Sequence, residues 1–86
     1  MENADNLELE KIFGDILRRR RSEIGISQEE LAFLAGVDRT FVSRIERGIR
    51  QPSLRTLIGL GKALKVSAAD LVLETERLYS DSLNSK

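Results

Sequence analysis

The chain has 86 residues, 14 basic and 14 acidic, with one proline and neither cysteine nor histidine, a length that carries one domain around a single modest core. Lack of cysteine removes disulfides, thiolate metal sites and thiol catalysis. Lack of histidine removes the usual general acid or base near neutral pH, so neither an enzyme nor a metal or cofactor site is expected.

Apolar spacing is helical throughout and nowhere alternates as a strand would, which predicts an all-α, five-helix bundle. In the first helix Leu9, Ile12, Phe13, Ile16, Leu17 and Ile24 mark the inward face. Asp5 with Glu8 forms a capping box at its start, and Gly25 is its stop. The run "RRRR" at 18–21 lies on this helix. At ~100° per residue four neighbours spread over roughly 300°, so they make no single basic patch. At least one must lean toward the core edge and needs a partner there.

Ser27, with Glu30 as its N3 partner, starts a second helix through Ala35, which Gly36 ends. Asp38 caps a third helix running to Arg47, stopped by Gly48. "IRQP" is a loop. Ser53 caps a fourth helix, 54–64, with Leu54, Leu57, Ile58, Leu60 and Leu64 inward. Ser67 with Asp70 starts a fifth, continuing through Leu71, Val72, Leu78 and Tyr79, and the tail "SDSLNSK" frays.

Charge is partitioned along the chain. Residues 1–10 carry four acids and no base, residues 11–65 twelve bases and six acids, and residues 66–86 four acids and two bases. A basic middle between acidic flanks suits a body that binds an anion. Three segments follow: an acidic extension over 1–10 leading into helix 1, a basic body over 11–72, and a C-terminal helix extension with its frayed tail over 73–86. No run approaches about 18 apolar residues, and "MENADNLELE" has no apolar signal core; a soluble, cytoplasmic protein is expected.

The third helix separates its residues sharply. At ~100° per residue, Arg39, Ser43, Arg47, Thr40 and Arg44 share one arc of roughly 140°. Phe41, Ile45 and Val42 fall opposite, and Glu46 sits at the seam. The outer face therefore offers three guanidiniums and two hydroxyls with no carboxylate among them. Guanidinium pairs bidentately with guanine or phosphate, and hydroxyls suit base edges or backbone. Upstream, "QEELAFLAGVDRTFVSRIER" has helix-turn-helix spacing. Leu31, Ala35, Val37, Val42 and Ile45 supply the inter-helix core, Ala32 allows close approach, and Gly36 stands at the tight turn.

With these residues on the page, the sequence resembles the phage Cro and repressor type of helix-turn-helix, the xenobiotic-response-element family of bacterial regulators. The likeness covers residues 13–72 through "SQEELA", "AGV", "VSRIERG" and "QPSLRTL". "DRTFVSRIERG" is similar to the controller proteins of restriction–modification systems. The resemblance implies a five-helix domain that binds operator DNA as a dimer. It implies base contacts from Arg39, Thr40, Ser43 and Arg44, and backbone contacts from Gln28, Arg47, Arg50 and Gln51. It also implies a salt bridge between Arg21 and Glu46 that fixes the first helix against the third.

One recognition helix reads few base pairs, and two-fold pairing is the family's remedy. The interface is expected on the fourth and fifth helices, from Gly59, Gly61, Leu71, Val72, Leu78 and Tyr79. Gly59 and Gly61 depart from the family pattern, since glycine inside a helix costs about 0.8–1 kcal/mol relative to alanine. No effector domain is evident, so no small-molecule ligand is expected. The function expected is a sequence-specific transcriptional regulator acting as a homodimer on palindromic double-stranded DNA. The alternative is an antitoxin that binds a partner toxin and regulates its own operon through the same motif.

Overall fold

The computed structural model describes residues 8–84 and consists there of five helices: α1 (Glu8–Ile24), α2 (Gln28–Ala35), α3 (Arg39–Glu46), α4 (Leu54–Leu64) and α5 (Ala68–Asn84). No strand occurs among the described residues. The proposed cap Asp5 lies outside them.

Three serines start helices as expected, because a serine hydroxyl can accept one of the N–H groups that the first turn leaves unpaired. Ser27 Oγ accepts from the Glu30 amide at 3.0 Å, Ser53 Oγ from Thr56 at 3.2 Å and Ser67 Oγ from Asp70 at 3.0 Å. Asp38 is different. It occupies the N-cap of α3 with extended backbone, yet its side chain makes no capping bond. Gly36 closes α2 at φ 76°, and the Val37 amide bonds back to the Ala32 carbonyl at 2.9 Å. This left-handed closure favours glycine and sets the short turn into α3.

The core takes residues from every helix: Ile16 and Leu17 of α1, Leu31 of α2, Val42 and Ile45 of α3, Leu60 of α4 and Leu71 of α5 are all essentially inaccessible. Helix α1 packs on α3, α4 and α5, while α2 packs on α3 and α4. Among the described residues no helix is long and apolar enough to cross a membrane.

Several sequence expectations are corrected. Leu9, Ile24, Leu54 and Ile58 are 40%, 44%, 74% and 44% exposed rather than inward. Ile24 is the last residue of α1 and Leu54 the first of α4, so both project from helix ends beyond the reach of the core. The third helix ends at Glu46, with Arg47 as its C-cap. The tail does not fray at Ser80, for α5 continues to Asn84, with Tyr79 and Ser82 still half-buried.

Glycines decide how closely the helices approach. A Cβ on Gly59 would meet the Ala35 carbonyl oxygen at 2.9 Å, and one on Gly61 would meet the Val66 carbonyl oxygen at 2.9 Å. Both positions therefore serve packing inside the protomer, of α4 against α2 and against the α4–α5 turn. Gly14, which the sequence reading passed over, is buried where α1 crosses the end of α3. A Cβ there would collide with the carbonyl oxygen of Ile45 and come within 2.7 Å of that of Glu46.

Candidate nucleic-acid interface

Helix α3 is anchored by Val42 and Ile45, both at 0% exposure, with Phe41 half-buried beside them. That anchoring turns the opposite side outward: Arg39, Thr40, Arg44 and Arg47 are exposed and Ser43 is half-buried. Among the described residues Arg39 and Arg44 make no side-chain hydrogen bond or ion pair. Their guanidiniums stand free for another molecule. Arg47 Nε donates a long bond to the Ser43 carbonyl at 3.4 Å, which lays its side chain back along α3. Arg50 and Gln51 follow in the exposed loop before α4. The Gln51 amide donates to the Glu10 carboxylate, tying this loop to the start of α1.

Behind the exposed face lies a buried ionic cluster. Arg21 Nε donates to Glu46 Oε2 at 2.6 Å and Arg21 Nη2 donates to Oε1 at 3.0 Å, a two-point pairing that planar guanidinium makes well. The Gln28 amide donates to the same Oε1 at 2.9 Å, and Arg21 Nη1 donates to the Ile26 carbonyl at 3.0 Å. Glu46 is only 4% exposed. A carboxylate so deep requires this complement of donors, since burying an unpaired charge is costly. The Glu46 bond is the main influence on Arg21 and raises its pKa; burial opposes the rise and the attraction of the two charges adds to it. Through four side-chain bonds the cluster fastens α1, the head of α2 and the end of α3 together. Gln28 thus has its amide directed at Glu46, at the end of α3, in the unbound protein.

The other three arginines of the "RRRR" run have two main destinations. Arg18 pairs with Asp15 one turn back at 3.0 Å. Arg19 and Arg20 both reach Glu74 of α5, Arg20 at 3.0 Å. Burial is the largest influence on Glu74 and pushes its pKa up. The bonds and charges of Arg20 and Arg19 together outweigh it and hold the carboxyl below its ordinary range. The run is a set of fastenings for α1 rather than a basic patch.

The residues expected at a two-fold interface divide. Leu71 is 0% exposed and belongs to the protomer core, as Gly59 and Gly61 belong to its helix packing. Val72 and Tyr79 line a mostly apolar groove of about 340 Å³ together with Leu9, Phe13 and Leu57. Leu78, 44% exposed, lies outside that groove. Val72, Tyr79 and Leu83 recur at i, i+7 and i+11, one stripe of α5; Val72 and Leu83 are 41% and 49% exposed.

Comparison with known proteins agrees with this architecture. The helix-turn-helix family profile matches residues 17–71. The chain is similar to the control protein C.BamHI of Bacillus amyloliquefaciens, 44% identical over 62 residues that cover 71% of this chain and 76% of that one. Among solved structures it resembles the restriction–modification controller protein C.AhdI from Aeromonas hydrophila, with 44% identity, a TM-score of 0.70, and coverage of 72% of this chain and 94% of that one. It also resembles a point mutant of C.Esp1396I bound to its highest-affinity operator site, with 32% identity, a TM-score of 0.72, and coverage of 80% and 91%.

Proposed function

The chain belongs to the helix-turn-helix family, and from that premise we propose that it is a sequence-specific transcriptional regulator, non-catalytic and cytoplasmic, that grips palindromic operator DNA as a homodimer. The carrying observation is the outer face of α3, where Arg39, Thr40 and Arg44 are exposed while Glu46, the helix's one carboxylate, is drawn inside by Arg21 and Gln28. Laid in the major groove, α3 presents Arg39, Thr40, Ser43 and Arg44 to base edges, where guanidinium matches guanine O6 and N7. Arg47, Arg50 and Gln51 then follow the phosphate backbone. Gln28 stands at the head of α2, where N–H groups and the helix dipole favour an anion, and binding phosphate through its amide would require partial release from Glu46.

The second protomer covers the groove between α1 and α5, with Val72, Tyr79 and Leu9 at the contact. An isologous pairing through α5 presents two recognition helices, and half-sites roughly 34–36 Å apart match one turn of DNA. Selection from randomised duplexes tests the reading. The expected product is an inverted repeat, bound with an affinity that falls steeply with salt because phosphate contacts release counterions. Selection that yields no shared sequence would refute it.

A further inference from the structure

Asp38 was expected to cap α3, and it does not. Its backbone has the N-cap conformation (φ −76°, ψ 147°), but its carboxylate accepts nothing from the first turn. Among the described residues it has no other hydrogen-bond or ion-pair partner, and it is exposed. The neighbouring Arg39 does not pair with it. The side chain instead borders an open depression of about 350 Å³ whose lining includes Thr40 and Arg44, two residues of the proposed base-reading face. An uncommitted carboxylate in this place has a chemical consequence. It repels phosphate, so the tip of α3 is not a backbone anchor. Ionised, it only accepts hydrogen bonds.

From this geometry we infer that Asp38 is a specificity residue of the recognition surface, accepting a hydrogen bond from the N4 amino group of a cytosine in the major groove. The inference rests on the operator-reading orientation proposed above. In the major groove guanine offers O6 and N7 and thymine offers O4, all acceptors; adenine sets its N6 amino donor beside an N7 acceptor that repels a carboxylate, whereas cytosine presents the N4 amino donor alone. Asp38 therefore favours cytosine and also rejects guanine and thymine at its position, since acceptor would meet acceptor beside a desolvated charge. The guanidiniums of Arg39 and Arg44 do the converse, seeking guanine. A half-site carrying cytosine next to guanine is the pattern that this combination reads.

Two substitutions separate base reading from capping. Serine caps a helix as well as aspartate does but has no carboxylate, so Asp38→Ser is expected to keep the melting temperature of the parent. Asparagine offers both donor and acceptor and pairs with adenine. Selection from randomised duplexes with the parent protein is expected to return a position held to cytosine. With Asp38→Ser, discrimination there falls roughly 5- to 150-fold, the range for one specific base contact; with Asp38→Asn, preference moves toward adenine. The inference is overturned if Asp38→Ser keeps the parent's preference at every position. It is equally overturned if Asp38→Ala lowers the melting temperature, serine restores it, and no base preference changes. A parent protein that selects no sequence would overturn the operator reading itself.

Discussion

Removing Arg21 tests the cluster behind the recognition helix most directly. In Arg21→Ala, Glu46 keeps one donor, the Gln28 amide at 2.9 Å, and loses two charge-assisted bonds at 2.6 and 3.0 Å. Its side chain is 2% exposed, against 15% for Arg21, so the carboxylate is left almost dry. Breaking a fully buried pair from one side costs about 3–5 kcal/mol. The remaining Gln28 bond, of the order of 1 kcal/mol, and water entering the space left by the guanidinium reduce this to about 2–4 kcal/mol.

For a domain of this size each 1 kcal/mol moves the midpoint by about 4–8 °C, so a fall of roughly 8–32 °C is expected. Urea unfolding followed by far-UV circular dichroism measures the loss, at one protein concentration because the proposed dimerisation would shift apparent stability. Arg21→Lys keeps the charge but not the fork geometry and is expected in between. The double variant Arg21→Met with Glu46→Leu is expected within about 2 kcal/mol of the parent, because apolar replacement of both partners strands no charge. An Arg21→Ala loss below about 1 kcal/mol, the level of a surface pair, would refute the reasoning.

Three further outcomes follow from the same geometry. Arg39→Ala and Arg44→Ala should each weaken specific binding by about 1–3 kcal/mol and relax one base position; Arg50→Ala should weaken all sequences alike and lower the salt slope by about one. Fluorescence anisotropy on matched and mismatched duplexes across a salt series distinguishes the two behaviours. Val72→Glu places a charge in the α1–α5 groove and should convert a dimer to a monomer in sedimentation without unfolding it, whereas Leu71→Glu, inside the core, should unfold the chain; a Val72→Glu protein that still sediments as a dimer would remove the proposed interface. The folded pKa of Glu74 is lowered from its ordinary 4.5, so its stabilising share is present above that value and is lost as pH falls through the lower folded one. Glu74→Gln should therefore be less stable than the parent at pH 7, and the gap should close as thermal melts are repeated at acid pH below about 4; a gap that stays constant would contradict the role given to Arg19 and Arg20.

Local chemistry made much of this molecule readable from its residues. Hydroxyl caps at Ser27, Ser53 and Ser67 and the left-handed closure at Gly36 depend on neighbours only a few positions away, and they stand where the spacing placed them. The outward face of α3 was readable for the same reason: a strong apolar stripe on one side leaves its arginines no other direction. The four arginines at 18–21 were visibly too spread to act as one patch, a matter of helix geometry alone.

Distant backbone and side chains decided the rest. Helical spacing alone did not distinguish Leu71, sealed in the core, from Val72, at the rim of a groove; the packing of α5 on α1 and α4 made that choice. Gly59 and Gly61 read as oddities in a helix until the carbonyls of Ala35 and Val66 stood against them. Gly14 attracted no notice because the α3 backbone that forbids a side chain there lies some thirty positions away in the chain. Asp38 has the residue type and backbone of a cap, yet its carboxylate is left facing outward beside Thr40 and Arg44. Its sequence neighbours specify where a helix begins; the docking of α3 against the core determines which way that helix and its uncommitted charge point.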